Sequence, residues 1–391
     1  MKKIVFVTGT RADYGKIKSL IKATDESKLF STYVYITGMH LLNECGNTYM
    51  QVVQDEHGKC YVERNVQVSP YMDENLGNTI LAFSRFVRDI EPDYIVVHGD
   101  RTDALAGASV GLLNNIKVVH IEGGELTGTV DDSIRHAITK MAHIHMTANE
   151  ETKLRLIQLG EREDTINVIG SPDIDIMLSD AIPKPKDILN KYGIPFEKYG
   201  LFIYHPVVTE VESLDARMKE LEKVFNKLSM GMIVIHPNND LGREVIVETI
   251  EKLSGKDNIR VYKSFPFEEF LSLLKGADFI MGNSSAGIRE ACVYGIPCIN
   301  IGTRQNGRYN ARILKNIVSV KEDAEEILSA IEHIDDYRFT SNYYGNGRSV
   351  KAFMDAMKRE VKKSDADVQK VFVDTDETIK KIERFINEGC E

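Results

Sequence analysis

Short apolar runs alternate with longer amphipathic segments along nearly the whole chain, and this alternation constrains the fold more than any other feature. Ile4-Val-Phe-Val7, Tyr33-Val-Tyr-Ile36, Tyr94-Ile-Val-Val97, Val118-Val-His-Ile121, Ile144-His-Met146 and Ile166-Asn-Val-Ile169 form a first series. Each is short and bounded by polar residues or glycine, as buried strands are. Helical spacing falls between them at 17–23, 76–90, 104–113 and 132–142. Residues 180–198, with Pro183, Pro185 and Pro195, suit a junction. The series then restarts with Leu201-Phe-Ile-Tyr204, Met232-Ile-Val-Ile235, Ile259-Arg-Val-Tyr262, Phe279-Ile-Met281 and Cys298-Ile-Asn-Ile301, again separated by helical patterns. Strands alternating with helices imply crossover units and parallel sheets. The expected class is therefore α/β. Two doubly wound, Rossmann-like domains, 1–175 and 176–350, face a cleft, and a charged helical tail covers 351–391.

Composition narrows what such a fold does. The length of 391 residues suits two domains. No apolar run approaches the ~18 residues of a membrane span, and the opening Met1-Lys-Lys-Ile-Val-Phe-Val7 reads as a first strand rather than a signal segment. A net charge of −10 argues against general nucleic-acid binding, so an anionic ligand must be held by local arginines and helix ends. The five cysteines are odd in number and lack CxxC spacing, which points to reduced thiols in a cytoplasmic protein without a zinc site.

Doubly wound sheets bind ligands at the carboxyl ends of their strands, and polar residues gather there. The first strand ends in Thr8-Gly-Thr-Arg11-Ala-Asp-Tyr-Gly15; it lacks GxGxxG, so no nicotinamide cofactor is expected. Others end in Gly38-Met-His40, His98-Gly-Asp100-Arg101, Glu122-Gly-Gly-Glu125, His205-Pro-Val207 and His236-Pro-Asn238-Asn239. The stretch Met281-Gly-Asn-Ser-Ser285 lies at a strand-to-helix turn. Gly282 permits the tight turn, Asn283 or Ser284 suits a helix cap, and free N–H groups with two hydroxyls make an anion site. Glu290, further down the helix 286–294, is within reach of sugar hydroxyls on the same ligand.

Three carboxylates stand out. Asp100 and Glu122 end apolar strands, and Asp131 begins a helical segment with Arg135 one turn later. Clustered carboxylates repel, which keeps an acid and a base together near neutral pH. No HxH or HExxH spacing supports a metal site.

In combination, Thr8 to Gly15, Thr37-Gly-Met-His40, Gly99-Asp-Arg101, His120-Ile-Glu-Gly-Gly-Glu125, Asp131-Asp-Ser-Ile-Arg-His136 and Gly282 to Glu290 resemble the hydrolysing UDP-N-acetylglucosamine 2-epimerases of bacterial sialic acid synthesis. The resemblance runs in order from Ile4 to about Arg308. It implies the glycosyltransferase-B type of two-domain fold. It also implies a reaction in which UDP-N-acetylglucosamine and water give N-acetylmannosamine and UDP, by elimination to 2-acetamidoglucal and then hydration, with no cofactor. By the same resemblance Asp100, Glu122 and Asp131 are catalytic, without division into acid and base. Arg135 and His40 hold the sugar or a carboxylate. Arg11, Arg101, His205, Asn238, Ser284, Ser285, Glu290 and Arg304 bind UDP. A homo-oligomer, dimer or tetramer, is also implied. The nearest alternative is a hydrolysing 2-epimerase of a diacetamido, bacillosamine-type sugar linked to UDP or GDP. A retaining glycosyltransferase and a non-catalytic nucleotide-sugar regulator are further readings, since fold alone does not set function.

Overall fold

The computed structural model describes residues 1–42, 46–63, 71–127, 130–237, 242–363 and 368–388. Each apolar run is a strand within a residue or two of its expected ends. One sheet joins β1 (Lys2–Thr8), β2 (Phe30–Ile36), β3 (Lys59–Val62), β4 (Tyr94–His98), β5 (Lys117–Ile121), β6 (Ile144–Thr147) and β7 (Ile166–Val168). Their order is β3-β2-β1-β4-β5-β6-β7. A second joins β8 (Tyr199–Ile203), β9 (Gly231–Ile235), β10 (Ile259–Tyr262), β11 (Phe279–Gly282), β12 (Cys298–Ile301) and β13 (Ile317–Val320), ordered β10-β9-β8-β11-β12-β13. All pairings are parallel. Each sheet reverses its strand order once, at β1 beside β4 and at β8 beside β11, where this architecture opens a ligand crevice.

The unbroken apolar runs follow from burial on both faces. In β1, Ile4 and Phe6 pack with Ile17, Leu20 and Ile21 of the helix Arg11–Asp25. Val5 and Val7 pack on the other side with Phe83, Val87 and Ala108. Phe202, Val234, Met281 and Ile299 play the same part in the second sheet. Two strands escape the sequence reading, β3 and β13. Both are edge strands with partly exposed residues, so neither carries an all-apolar run.

The chain forms two compact units, Met1–Asp175 with Gly345–Glu391, and Ile176–Tyr344. The helix Pro185–Lys191, inside the stretch read as a junction, belongs to the second unit. The expected tail from 351 also needs correction. The helix Ser349–Lys362 places Phe353, Ala356 and Met357 in the core around Ile4 and Phe6. Asp175 anchors its start, accepting the N–H groups of Ser349 and Val350 at 2.8 Å each. Its core-facing residues recur at helical spacing, but lysines and acidic residues between them give the segment a surface-like composition. Further on, Lys370 reaches back to the carbonyls of Thr139 and Ala142 at 2.7 and 2.6 Å, closing the end of the helix Val130–Met141. The last helix, Asp376–Asn387, buries no residue, as expected of a surface helix.

Replacing Phe353, fully buried 6.3 Å from the Phe6 ring, with alanine leaves a core cavity and is expected to cost about 3–5 kcal/mol. Urea unfolding of the first unit checks this. A loss under about 1 kcal/mol would mean that the returning helix is not part of that core.

Candidate functional site

In the first unit the polar residues converge at the ends of β4 and β5. Glu122 directly follows β5, and its φ of 61° lies in the left-handed region that a non-glycine residue adopts only under constraint. The surroundings supply the constraint. Its N–H donates to the Met146 carbonyl at 2.9 Å, and its own carbonyl accepts from Arg135 Nη1 at 2.7 Å. The carboxylate, 2% exposed as a residue, meets Lys16 Nζ at 3.2 Å and His98 Nε2 at 3.1 Å on Oε2. The Ser171 hydroxyl bonds the other oxygen.

Arg135 is itself buried and forms an ion pair with Asp100 through Nη2. One guanidinium thus ties the Asp100 carboxylate to the Glu122 main chain. His120, fully buried on β5, pairs through Nε2 with the Gly99 carbonyl at 2.8 Å and through Nδ1 with Thr139 Oγ1 at 3.1 Å. Burial keeps it neutral, well below the ordinary histidine range. Asp131 occupies the first turn of the helix Val130–Met141, partly exposed and one turn ahead of Arg135. Its neighbour Asp132 takes the loop contacts, accepting the Thr127 hydroxyl at 2.7 Å.

At the ends of β1 and β2 the loops are locked by buried carboxylates. Asp13 accepts from the Thr8 hydroxyl at 2.7 Å and from the N–H groups of Gly9 and Thr10, both at 3.0 Å. His40 is fully buried, with Nε2 3.0 Å from Thr8 Oγ1 and Nδ1 2.8 Å from Thr48 Oγ1. Because Thr8 gives its proton to Asp13, His40 must donate from Nε2, which leaves Nδ1 to accept from Thr48. Burial favours this neutral tautomer over the charged ring, against the pull of Asp13. Arg11 starts the helix Arg11–Asp25, and Arg101 is exposed, with Nη2 3.2 Å from Met39 Sδ.

In the second unit, β8 and β11 end side by side. A Cβ on Gly282, at φ 126°, would overlap the Ile203 carbonyl, so only glycine fits. Asn283, expected as a possible cap, does other work. Its side chain accepts from the His205 N–H at 2.7 Å and donates to the His205 carbonyl at 2.8 Å. That pair of bonds continues the sheet ladder beyond the strands, and leaves the helix start to the serines. Ser284 Oγ lies 3.4 Å from the Ala286 N–H, while Ser285 is exposed at the N-cap without a side-chain cap bond. Arg304 and Gln305 both donate to the Asn283 carbonyl, at 3.1 and 2.7 Å. Burial, then the Arg304 charge, hold His205 down to about 3, so it is a neutral ring at working pH. Glu290 is buried at a break between the short helices Ala286–Arg289 and Ala291–Tyr294. Asn238 lies outside the described residues.

The structure thus joins Asp100, Glu122 and Arg135 in one network and groups His205, Ser284 and Arg304 around Asn283. It adds Lys16, Ser171 and Asp173, which sequence reasoning missed. Lys16 directly follows the first strand-end motif on the helix Arg11–Asp25, and the other two follow β7. No spacing pattern links these three positions; only the fold does.

A family model described as UDP-N-acetylglucosamine 2-epimerase matches residues 22–358. The UDP-N-acetylglucosamine 2-epimerase of Neisseria meningitidis is 43% identical over 332 residues, 85% of this chain and 87% of that protein. The hydrolysing UDP-N,N'-diacetylbacillosamine 2-epimerase of Legionella pneumophila is 35% identical over 357 residues, 89% of this chain and 93% of that one. Among solved structures, the Methanocaldococcus jannaschii UDP-GlcNAc 2-epimerase in complex with UDP-GlcNAc and UDP has the same fold. Its TM-score is 0.77 at 21% identity, covering 92% of this chain and all of that one.

A pH prediction comes from Asp103, buried against the Gly9 and Gly38 loops. Burial, then the Asp13 charge, push its carboxyl up to about 6, against Arg101. The unfolded chain releases this proton near about pH 3.9. Between those values the folded chain binds more protons, so stability contributed below pH 4 is lost as pH rises through about 6. Asp103→Asn removes that loss. Its melting temperature should exceed the parent's at pH 7.5, with the gap closing near pH 4. An equal gap at both pH values would rule out the charge as its source.

Proposed function

Because the chain belongs to the UDP-N-acetylglucosamine 2-epimerase family, we propose that it is a hydrolysing 2-epimerase. It converts UDP-N-acetylglucosamine and water to N-acetylmannosamine and UDP, supplying sialic acid synthesis. The observation that carries this reading is the strained, buried Glu122 with its carboxylate held by Lys16, His98 and Ser171 and its main chain tied through Arg135 to Asp100. A base must remove the weakly acidic proton at C2, and a carboxylate fixed in place suits that step. The C–H pair forms the C1=C2 bond, and the C1–O pair leaves on UDP. Water then adds at C1 while C2 takes a proton on the opposite face. Asp100, Glu122 and Asp131 share these transfers, and Arg135 sets the geometry of the first two. His40, turned inward, supports the loop beside them.

The departing diphosphate needs donors aimed at its growing charge. The turn after β11 offers Ser284, Ser285 and the first N–H groups of its helix, with Arg304 beside it. His205, neutral and next to Arg304, offers a hydrogen-bonding ring. Glu290 takes the ribose, and Arg11, Arg101 and Asn238 complete the UDP contacts assigned by resemblance. The reading includes a cytoplasmic homo-oligomer and no cofactor. The second reading, a diacetamido bacillosamine-type sugar, draws support from the Legionella relative. NMR of the free sugar released from each nucleotide sugar separates the two.

Three outcomes test the proposal. Replacing Ser284 and Ser285 with alanine should weaken UDP binding in calorimetry, since each hydrogen bond to a charged group is worth roughly 1.5–3 kcal/mol; unchanged affinity removes the turn from the site. In heavy water, N-acetylmannosamine should form with deuterium at C2. Changing Asp100, Glu122 or Asp131 to the matching amide should lower turnover about 10²–10⁴-fold while UDP still binds. Product without deuterium at C2 excludes elimination.

A further inference from the structure

Asp173 is a buried carboxylate to which the mechanism above gives no task. It is 1% exposed, and neither oxygen has a hydrogen-bond partner among the described residues. The ammonium of Lys16 is 3.8 Å from Oδ2, and the same ammonium is 3.2 Å from Glu122 Oε2. A buried charge without hydrogen bonds is costly and persists only where something compensates it. Here two buried carboxylates share one cation, and the closer holder is the one placed in the chemistry.

We propose that Asp173 is the second seat of the Lys16 ammonium, so that Lys16 swings between Glu122 and Asp173 as Glu122 gains and loses its proton. With Glu122 ionised, Lys16 sits against it, as observed. When Glu122 takes up a proton its charge disappears, and Lys16 moves the short distance to the Asp173 carboxylate. When Glu122 releases the proton, the ammonium returns. The ammonium thus keeps a carboxylate counter-ion in both states. Asp173 is a positioning residue: it acts on Glu122 only through Lys16 and touches no reacting atom. Among the described residues, the charged or titratable groups around Glu122 are Lys16 from the helix Arg11–Asp25, His98 from β4, Asp100 after β4, Asp173 after β7 and Arg135 from the helix Val130–Met141. Ser171 adds a neutral hydroxyl.

The inference rests on the catalytic role proposed for Glu122, and its test reads Glu122 directly whether or not the substrate assignment holds. The side-chain carboxyl carbon of Glu122 is followed by NMR against pH in full-length protein labelled at glutamate, identified as the resonance that Glu122→Gln removes. Asp173→Asn takes away a neighbouring negative charge and should move the Glu122 midpoint to lower pH. Lys16→Met takes away the cation and should move it to higher pH. Each shift should be about one pH unit or more, as for charges within ~4–6 Å. Lys16→Arg, which keeps the charge, should return it toward the parent value.

In turnover of UDP-N-acetylglucosamine, Asp173→Asn should lower kcat with KM unchanged. The pH-rate limb that depends on Glu122 should move the same way as the NMR midpoint. A Glu122 midpoint unmoved by Asp173→Asn, or moved in the same direction by both charge-removing variants, overturns the proposal. Opposite shifts without turnover of the nucleotide sugar would uphold the charge exchange and reject the substrate reading.

Discussion

A parallel sheet covered by helices on both faces leaves a strand no place for polar chemistry except its ends. Away from the sheet edges most strand-interior positions are committed to packing, so charged and hydrogen-bonding residues gather at the turns where backbone donors and acceptors also run out of partners. β1, β4 and β5 in one sheet, and β8 and β11 in the other, each end in such a turn. The rest of the site is a solution to that confinement. Asp13 gathers the donors left by the Thr8–Thr10 loop, and Asn283 carries the ladder past the last residues of β8 and β11.

The confined charges are then sorted by burial. Three carboxylates at these ends meet donors: Asp13 has threonine and backbone N–H groups, Glu122 has Lys16 and Ser171, and Asp100 has Arg135. Burial holds His120 and His205 neutral, and His120 pairs through both ring nitrogens. Glu161 shows the other solution. Although burial opposes it, His145, Lys140 and Lys370 together hold its carboxyl down to about 2. The low local dielectric sharpens each pairing, so small displacements at the strand ends carry large electrostatic consequences.

Much of this was legible in the sequence because two-sided burial writes itself as unbroken apolar runs, and strand ends as sudden polar clusters. The sheets, Gly282, and the positions of Asp100 and Glu122 at strand ends follow from that pattern, whereas Arg135, inside the helix Val130–Met141, was marked only by its spacing from Asp131 and meets the other two through the fold. What escaped had physical reasons. β3 and β13 are edges, where one side is open and lysine or serine interrupts the run. The helix Ser349–Lys362 hides a core stripe among charges. Lys16, Ser171 and Asp173 come from two elements far apart in sequence, and only the folded chain brings them to Glu122. Asn283 looked like a cap because a local role is the only one a sequence window can suggest, whereas its bonds reach residues 78 positions away.

The return of the helix Ser349–Lys362 to the first sheet makes the second unit an insertion within the first. A ribosome delivers the chain from its amino end. The seven strands of the first sheet therefore emerge without the residues that finish one side of their core, Phe353, Ala356 and Met357. The residues 176–344 in between form their own compact unit and emerge whole before the helix Ser349–Lys362 does. Order of synthesis and order of completion thus run opposite to each other, with the unit begun first being the one finished last. Closing so long a loop carries an entropic cost that local contacts do not. Until the carboxyl end arrives, an apolar strip of the first sheet stays exposed, and that interval is when the nascent chain is most open to chaperones and to aggregation.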